Sequence, residues 1–235
     1  MAVGAVNHHP EKAEGVFEQY ETLEQQQESY IVGMWTFLVT EVMFFAVLFG
    51  CYIIYRWKYQ PYFYEIHKSL NIVLGGTNTV VLLTSSFFMA MAVRSHMLKE
   101  NKWKTLKWLA GVQACAFGFL VIKTCEYSAK LGKQFLPMFG EAHYYFPNDM
   151  FAWHNDLVPA NIAKLFFSMY FGMTGLHGAH VIIGILSIAV LMVLIYKESH
   201  LVKNDYIPTE LVGLYWHFVD LVWIFLFPLF YLMPK

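Results

Sequence analysis

Histidine and acidic side chains that lie within long apolar segments are the residues of this sequence most able to do chemistry. His177 and His180 are three residues apart in one such segment, and His217 and Asp220 are three apart in another. Residues at this spacing lie close together on a helix surface. Two such surfaces on neighbouring helices could bind a metal ion or ligate a haem through imidazole.

Glu41 is an isolated acidic residue among phenylalanine and methionine. An ionisable side chain in such surroundings costs several kcal/mol unless it is paired or faces protein or water. The residue is therefore a candidate for function. A hydrogen bond to another helix that only fixes packing is the alternative.

Three further polar residues lie in apolar segments. Lys123 and Glu126 are three residues apart and can pair within one helix, either in the protein interior or at the membrane interface. Asn78 belongs to a segment rich in Gly, Thr and Ser. We expect it to form hydrogen bonds between helices rather than to line a substrate path.

The surroundings of the histidines argue against a redox centre. A haem held between two histidines needs small residues around the ligands, whereas Trp216, Phe218 and Trp223 surround His217. The three cysteines lie in apolar runs, with no spacing typical of a metal site or a disulfide framework. We expect no metal in this chain and interpret the histidines as helix contacts or as a lipid headgroup pocket.

The composition indicates whether the chain folds in water or in a membrane. Hydrophobic residues make up 57% of it and charged residues only 14%, whereas soluble domains average about 25% charged residues. The formal net charge of -1 provides no basic field for nucleic acid. The sequence therefore predicts a membrane protein without a nucleic-acid partner.

Five apolar runs are long enough to cross a bilayer, which takes roughly 20 helical residues. They are residues 31–55, 70–93, 106–127, 164–196 and 211–233. Because lipid leaves the backbone few ways to satisfy its hydrogen bonds and no polar–apolar alternation is present, we predict an all-α membrane protein with a bundle of five transmembrane helices.

The regions outside the spans complete the predicted organisation. Residues 1–30 are acidic and form a predicted N-terminal extension, without the pattern of a cleaved signal peptide, before a transmembrane domain at 31–235. The segment 94–107 is the densest basic cluster, which favours the cytoplasmic side. This orientation gives a cytoplasmic N-terminus and a periplasmic C-terminus.

Five stretches, one in each predicted span, carry a resemblance to a known family. They are TEVMFFA at 40–46, NTVVLLTSS at 78–86, KTCEY at 123–127, TGLHGAHV at 174–181 and YWHFVD at 215–220. Taken together and in this order, they resemble subunit III of haem-copper oxidases, most closely the cytochrome c oxidase type in its five-span bacterial form.

The resemblance implies a fold and a set of site residues. The bundle would be split by a lipid-binding cleft into a two-helix group, formed by the first two spans, and a three-helix group. Glu41 matches a glutamate beside the cleft. Four residues match positions that contact lipid or hold the helices together: His177, His180, His217 and Asp220.

The resemblance also implies a function and partners. The chain would be a non-catalytic subunit of a respiratory terminal oxidase in the bacterial inner membrane. It would stabilise the catalytic subunit, support proton uptake and give oxygen a route through bound lipid. Its partners would be oxidase subunit I, through direct helix contacts, subunit II and structural phospholipid, with haem and copper in the partner subunits.

Other functions stay open at the level of sequence. Related subunits occur in quinol oxidases and nitric oxide reductases, and nothing in this chain identifies the electron donor. A haem-binding membrane anchor could use His177, His180 and His217. A proton-coupled transporter could use Glu41 and His217, although the chain lacks the internal repeat that many transporters have.

Overall fold

The computed structural model describes residues 19–68, 70–130, 158–199, 202 and 205–232. Within these ranges the chain is helical and contains no β-strand. The helices are α1 (Leu23–Lys58), α2 (Gln60–His67), α3 (Ile72–Met97), α4 (Lys102–Lys130), α5 (Ala160–Tyr196) and α6 (Ile207–Tyr231).

Five of these helices are long and apolar enough to cross a membrane: α1, α3, α4, α5 and α6. The prediction of an all-helical, five-span membrane protein is therefore confirmed. The short helix α2 connects the first two spans. It begins with Pro61 in its first turn, where proline is tolerated because the first backbone N–H groups of a helix have no partner within it.

The first helix begins earlier than the apolar run that predicted it. Thr22 caps its N-terminus, since the Thr22 hydroxyl accepts a hydrogen bond from the Gln25 amide at 3.1 Å. Hydropathy marks the part of a helix that suits lipid and misses the polar turns before it, so α1 includes the end of the predicted acidic extension. Residues 1–18 of that extension, and 131–157 of the connection before α5, lie outside the described residues.

Four of the spans enclose a common core. Helix α3 packs along α4 and α6, and α5 packs along α6 and α4. Helix α1 lies outside this four-helix core, against α6 and α5. The predicted division into the first two spans and the last three is therefore not found in this arrangement, because the second span packs on the third and fifth.

Histidine side chains form hydrogen bonds between chain segments at each end of the bundle. At one end, His67 of α2 donates from Nδ1 to the Phe230 carbonyl near the end of α6, at 2.9 Å. At the other end, His96 of α3 donates from Nε2 to the Val202 carbonyl at 3.0 Å. Its Nδ1 then accepts from the Thr209 hydroxyl of α6 at 2.6 Å when the ring is neutral.

Not every glycine of α5 serves close helix packing. Gly172, Gly175 and Gly178 form a stripe along the helix, but a Cβ at any of them meets no described atom within 4 Å. At Gly184 of α5, a Cβ would lie 2.7 Å from the Trp216 ring of α6. The close approach of α5 and α6 is therefore made at Gly184.

We predict that Gly184→Ala destabilises the bundle by about 1–3 kcal/mol, the usual cost of overpacking. The added methyl group collides with a ring that is completely buried. Gly178→Ala is the matched control on the same helix, because its methyl group enters open space. Thermal denaturation of the two purified variants provides the measurement, and equal loss of stability would contradict the role of Gly184.

Candidate functional site

The side chains of Glu41 on α1 and His180 on α5 meet between the two helices. His180 Nε2 lies 3.1 Å from Glu41 Oε2, and His180 Nδ1 lies 2.8 Å from the carbonyl oxygen of Leu176, one turn earlier on α5. The contact joins the helix outside the four-helix core to that core. The sequence singled out both residues, but their pairing became visible only in the structure.

The hydrogen bonds of His180 define how many protons the pair holds. A carbonyl oxygen can only accept, so His180 Nδ1 must carry a hydrogen that it donates to Leu176. The contact between Nε2 and Glu41 then requires one more hydrogen. It lies either on the carboxyl group, with a neutral ring, or on the ring, with a carboxylate. In both cases the pair is neutral overall and holds one proton that either partner can carry.

The pair lies near the outer apolar surface of the bundle. The side chains of His180 and Glu41 are 14% and 21% exposed, and the neighbouring Met43 and Phe44 on α1 and Ile183 on α5 are exposed apolar residues. A neutral, mutually bonded pair suits this position, because hydrocarbon does not solvate an isolated charge.

His177 occupies a different environment from His180. Its side chain is completely buried inside the four-helix core. Its ring lies against Phe119 of α4, with centroids 5.5 Å apart, and against Trp223 of α6 at 5.2 Å. The two histidines that the sequence placed on one face of α5 thus point into the core and toward α1, respectively.

His217 and Asp220 are likewise separated from the pair. His217 Nδ1 is hydrogen-bonded to the Ser86 hydroxyl of α3 at 2.7 Å, and Asp220 is buried within the bundle. Across the described residues, no group of three or more His, Cys, Asp or Glu side chains could hold a metal ion. The arrangement is one of helix contacts and buried polar groups.

Lys123 and Glu126 form a buried ion pair in α4. Lys123 Nζ donates to Glu126 Oε2 at 2.8 Å, and the side chains are only 8% and 2% exposed. The expected pairing within the helix is therefore present, and it lies in the interior rather than at the surface. A buried ion pair needs further hydrogen bonds to offset the loss of solvation.

Two tyrosines supply these hydrogen bonds. Tyr170 of α5 and Tyr231 of α6 donate to Glu126 Oε1 at 2.9 and 2.6 Å. Lys123 Nζ donates to the Tyr231 hydroxyl at 2.8 Å and lies 4.6 Å from the centroid of the Trp223 ring. The ion pair of one helix is thus solvated by side chains of two others, and we refer to these five residues as the Lys123 cluster.

Sequence reasoning missed the tyrosine and tryptophan members of the Lys123 cluster. A signal was available, because a charged pair inside a span requires donors and π-faces from neighbouring spans. The sequence does not say which of its many aromatic residues face the pair, since that depends on helix rotation and pairing. Tyr127 and Thr174, which are hydrogen-bonded to each other beside the cluster, were missed for the same reason.

Comparisons with known proteins identify relatives of this chain. The family profile of cytochrome c oxidase subunit III matches residues 158–234. A cytochrome c oxidase subunit 3 of Synechocystis sp. is 33% identical over 201 residues, which cover 86% of this chain and 74% of the relative.

Two other similar relatives carry different names. A cytochrome bo(3) ubiquinol oxidase subunit 3 of Pseudomonas aeruginosa is 24% identical over 235 residues, with 99% of both chains covered. A heme-copper oxidase subunit I+III of Aeropyrum pernix is 26% identical over 212 residues, which cover 86% of this chain and 22% of that longer protein.

We predict that Lys123→Met destabilises the protein by about 3–5 kcal/mol, because it leaves Glu126 buried without its cation. Adding Glu126→Gln should restore part of the loss, since the buried negative charge is removed. Denaturant unfolding of the purified single and double variants measures both effects.

The exposed pair of Lys104 and Glu100 in the same part of the sequence provides the control, with Nζ and Oε1 2.9 Å apart. Lys104→Met should change stability little, because exposed ion pairs are weak. A loss as large as that of Lys123→Met would contradict the structural role of the Lys123 cluster.

Proposed function

Because the chain belongs to the haem-copper oxidase subunit III family, we propose that it is subunit III of a cytochrome c oxidase, a respiratory terminal oxidase. In this proposal oxygen reduction takes place in other subunits, which hold the haem and copper. The present chain stabilises the catalytic subunit, retains phospholipid and supports proton uptake. The Glu41–His180 pair at the lipid-facing side carries the mechanistic part of the proposal.

The similarity to relatives favours cytochrome c over quinol as the electron donor of the complex. The relative named for cytochrome c is 33% identical, and the one named for ubiquinol is 24% identical. Both relatives are named as subunit 3 of their oxidases. The complex with a cytochrome c donor is therefore the first candidate, and the quinol oxidase complex is the second.

The proposed direct partner is oxidase subunit I. The relative from Aeropyrum pernix is named as a fusion of subunits I and III, which implies that the two can assemble side by side. Much apolar surface of this chain is available for such an assembly, since α1 is the least buried of the five spans. Subunit II completes the proposed complex, in which the N-terminus is cytoplasmic and the C-terminus periplasmic.

Phospholipid is the second proposed partner. The exposed apolar side chains Met43, Phe44 and Ile183 beside the neutral Glu41–His180 pair offer a surface on which an acyl chain can lie. An apolar groove of about 540 Å³ between α4 and α5 offers a further place for an acyl chain, and Trp103, Lys107 and Tyr196 line it. Tryptophan and tyrosine favour the membrane interface, and lysine can bind a phosphate group.

The pair also supports the proposed part in proton uptake. Its shared proton can move between Glu41 and His180 without creating a net charge in the membrane. This property allows the pair to hold a proton close to lipid at low cost. We propose that a tightly held pair keeps α1 and bound lipid in place while the partner subunits turn over.

The geometry gives no support to a haem-binding anchor. His180 is bonded to Glu41 and Leu176, His217 to Ser86, and His177 lies between aromatic rings of the core. Both nitrogens of His180 are engaged, so ligation would require these contacts to break. The family relationship and the geometry both favour the subunit III function.

Isolation of the complex tests the identity of the partners. We predict that an affinity-tagged chain, extracted in mild detergent, is purified together with a haem-copper subunit I and a subunit II. Mass spectrometry and the visible spectrum identify them, and a copper-bearing subunit II distinguishes a cytochrome c oxidase. Purification of the chain without any other oxidase subunit would contradict the proposal.

Exchange of Glu41 tests the role of the pair. We predict that Glu41→Ala lowers the amount of phospholipid that is purified with the complex and shortens its active lifetime during turnover several-fold. The variant loses the hydrogen bond that joins α1 to His180. Phospholipid analysis and the decay of oxygen consumption with time are the measurements.

Glu41→Gln is the matched control for lipid binding, because its amide can still donate to His180 Nε2. It should retain the phospholipid. It removes the exchangeable proton, so a shortened lifetime with normal lipid would assign the effect to the proton. Unchanged lipid and unchanged lifetime in Glu41→Ala would contradict the proposed role of the pair.

A further inference from the structure

Three polar side chains in the four-helix core have no hydrogen-bond partner among the described residues. They are Asn78 of α3, His177 of α5 and Asp220 of α6, and the residues are 0%, 0% and 3% exposed. Both polar atoms of each side chain are unpartnered: the amide oxygen and nitrogen, the two ring nitrogens and the two carboxyl oxygens. These six atoms come from three different helices.

Trp223 of α6 lies near all three helices that carry these side chains. The His177 ring is in contact with the Trp223 ring. The Trp223 indole N–H donates at 3.1 Å to Thr79, the residue after Asn78 on α3. Asp220 lies one turn before Trp223, about 4.5 Å along the helix axis. The unpartnered groups are therefore at nearly one level of the bundle interior.

The walls of this region do not fully satisfy the three side chains. The Ser86 hydroxyl lies near the Asp220 carboxyl group, but it already shares a hydrogen bond with His217. Phe119 and Trp223, which flank His177, are hydrocarbon apart from the indole N–H, and that group is already bonded to Thr79. Burial of an amide, an imidazole and a carboxyl group without hydrogen bonds is strongly unfavourable. Native proteins usually satisfy such groups with internal water.

Water fits these groups better than a metal ion does. The described residues contain no group of three or more potential His, Cys, Asp or Glu ligands. Asn78, His177 and Asp220 together offer both donors and acceptors, as a water molecule requires, whereas a cation requires acceptors alone. An internal water makes about three hydrogen bonds, so six polar atoms correspond to about two molecules.

We infer that the four-helix core holds about two ordered water molecules, bound by Asn78, His177 and Asp220 beside Trp223. The site is separate from the lipid-facing Glu41–His180 pair. It adjoins the Lys123 cluster, because Lys123 Nζ lies over the same Trp223 ring. The core of the bundle thus contains a hydrated polar region next to the Lys123 cluster.

A high-resolution structure of the assembled complex tests the inference directly. We expect ordered solvent density within hydrogen-bond distance of the His177 ring and the Asp220 carboxyl group. Two results would overturn the inference: direct hydrogen bonds of the three side chains with one another, or a region without density between them.

Radiolytic labelling of the complex in ¹⁸O-water provides a second test, since hydroxyl radicals formed from internal water oxidise adjacent side chains. Trp223 should be labelled although it is completely buried, whereas Phe63 and Phe166 of the aromatic core should not. Asn78→Leu should remove most of the label at Trp223. Thr77→Val is the matched control one residue away, because Thr77 is exposed and its hydroxyl bonds only the Val73 carbonyl.

Each result of the labelling decides for or against the inference. Label at Trp223 that is lost in Asn78→Leu and kept in Thr77→Val supports it. Absence of label at Trp223 in the unmodified protein overturns it, as does equal labelling of Phe63. Where Asn78→Leu fails to assemble, the comparison within the unmodified protein still gives the answer.

Discussion

Hydrocarbon provides no hydrogen bonds, so every polar group within the spans must find its partners inside the protein. This constraint accounts for most of the specific contacts between helices. The ion pair of α4 is surrounded by Tyr170 and Tyr231 from α5 and α6. Ser86 of α3 bonds His217 of α6, and Glu41 of α1 bonds His180 of α5. These contacts fix which helices are neighbours and in what rotation, while the apolar residues fill the space between them.

The same constraint explains what the sequence could predict. The five spans follow from length and hydropathy, because both are local properties. The pairing of Lys123 with Glu126 follows from helical spacing. The grouping of the spans does not follow from the sequence, because the spacing of residues along one helix does not identify the helix that packs against it. The structure has a four-helix core with α1 outside it instead of the implied division into two and three spans, and α5 approaches α6 closely at Gly184.

Helical spacing alone also fell short for the candidate site. His177 and His180 are close in sequence, but α5 has neighbours on several sides, so one ring enters the core and the other reaches α1. The partner of Glu41 could not be read from the sequence, which contains 10 histidines. What the sequence indicated was that these polar residues belong to apolar helices long enough to span a membrane. Such residues stand out in the sequence, and the fold decides their partners.

The Glu41–His180 contact is notable because it joins α1, which lies outside the four-helix core, to that core. Association of helices in lipid gains little from the hydrophobic effect, because an exposed apolar side chain is already in an apolar medium. Helix α1 is mostly exposed and meets the core through aromatic contacts, such as Phe45 with Phe218 and Tyr52 with Phe230. A hydrogen bond between a carboxyl group and an imidazole is strong in these surroundings, since neither group has an alternative partner in lipid. The hydrogen bond of this one pair therefore adds a directional contact to the aromatic contacts that hold α1 against the core.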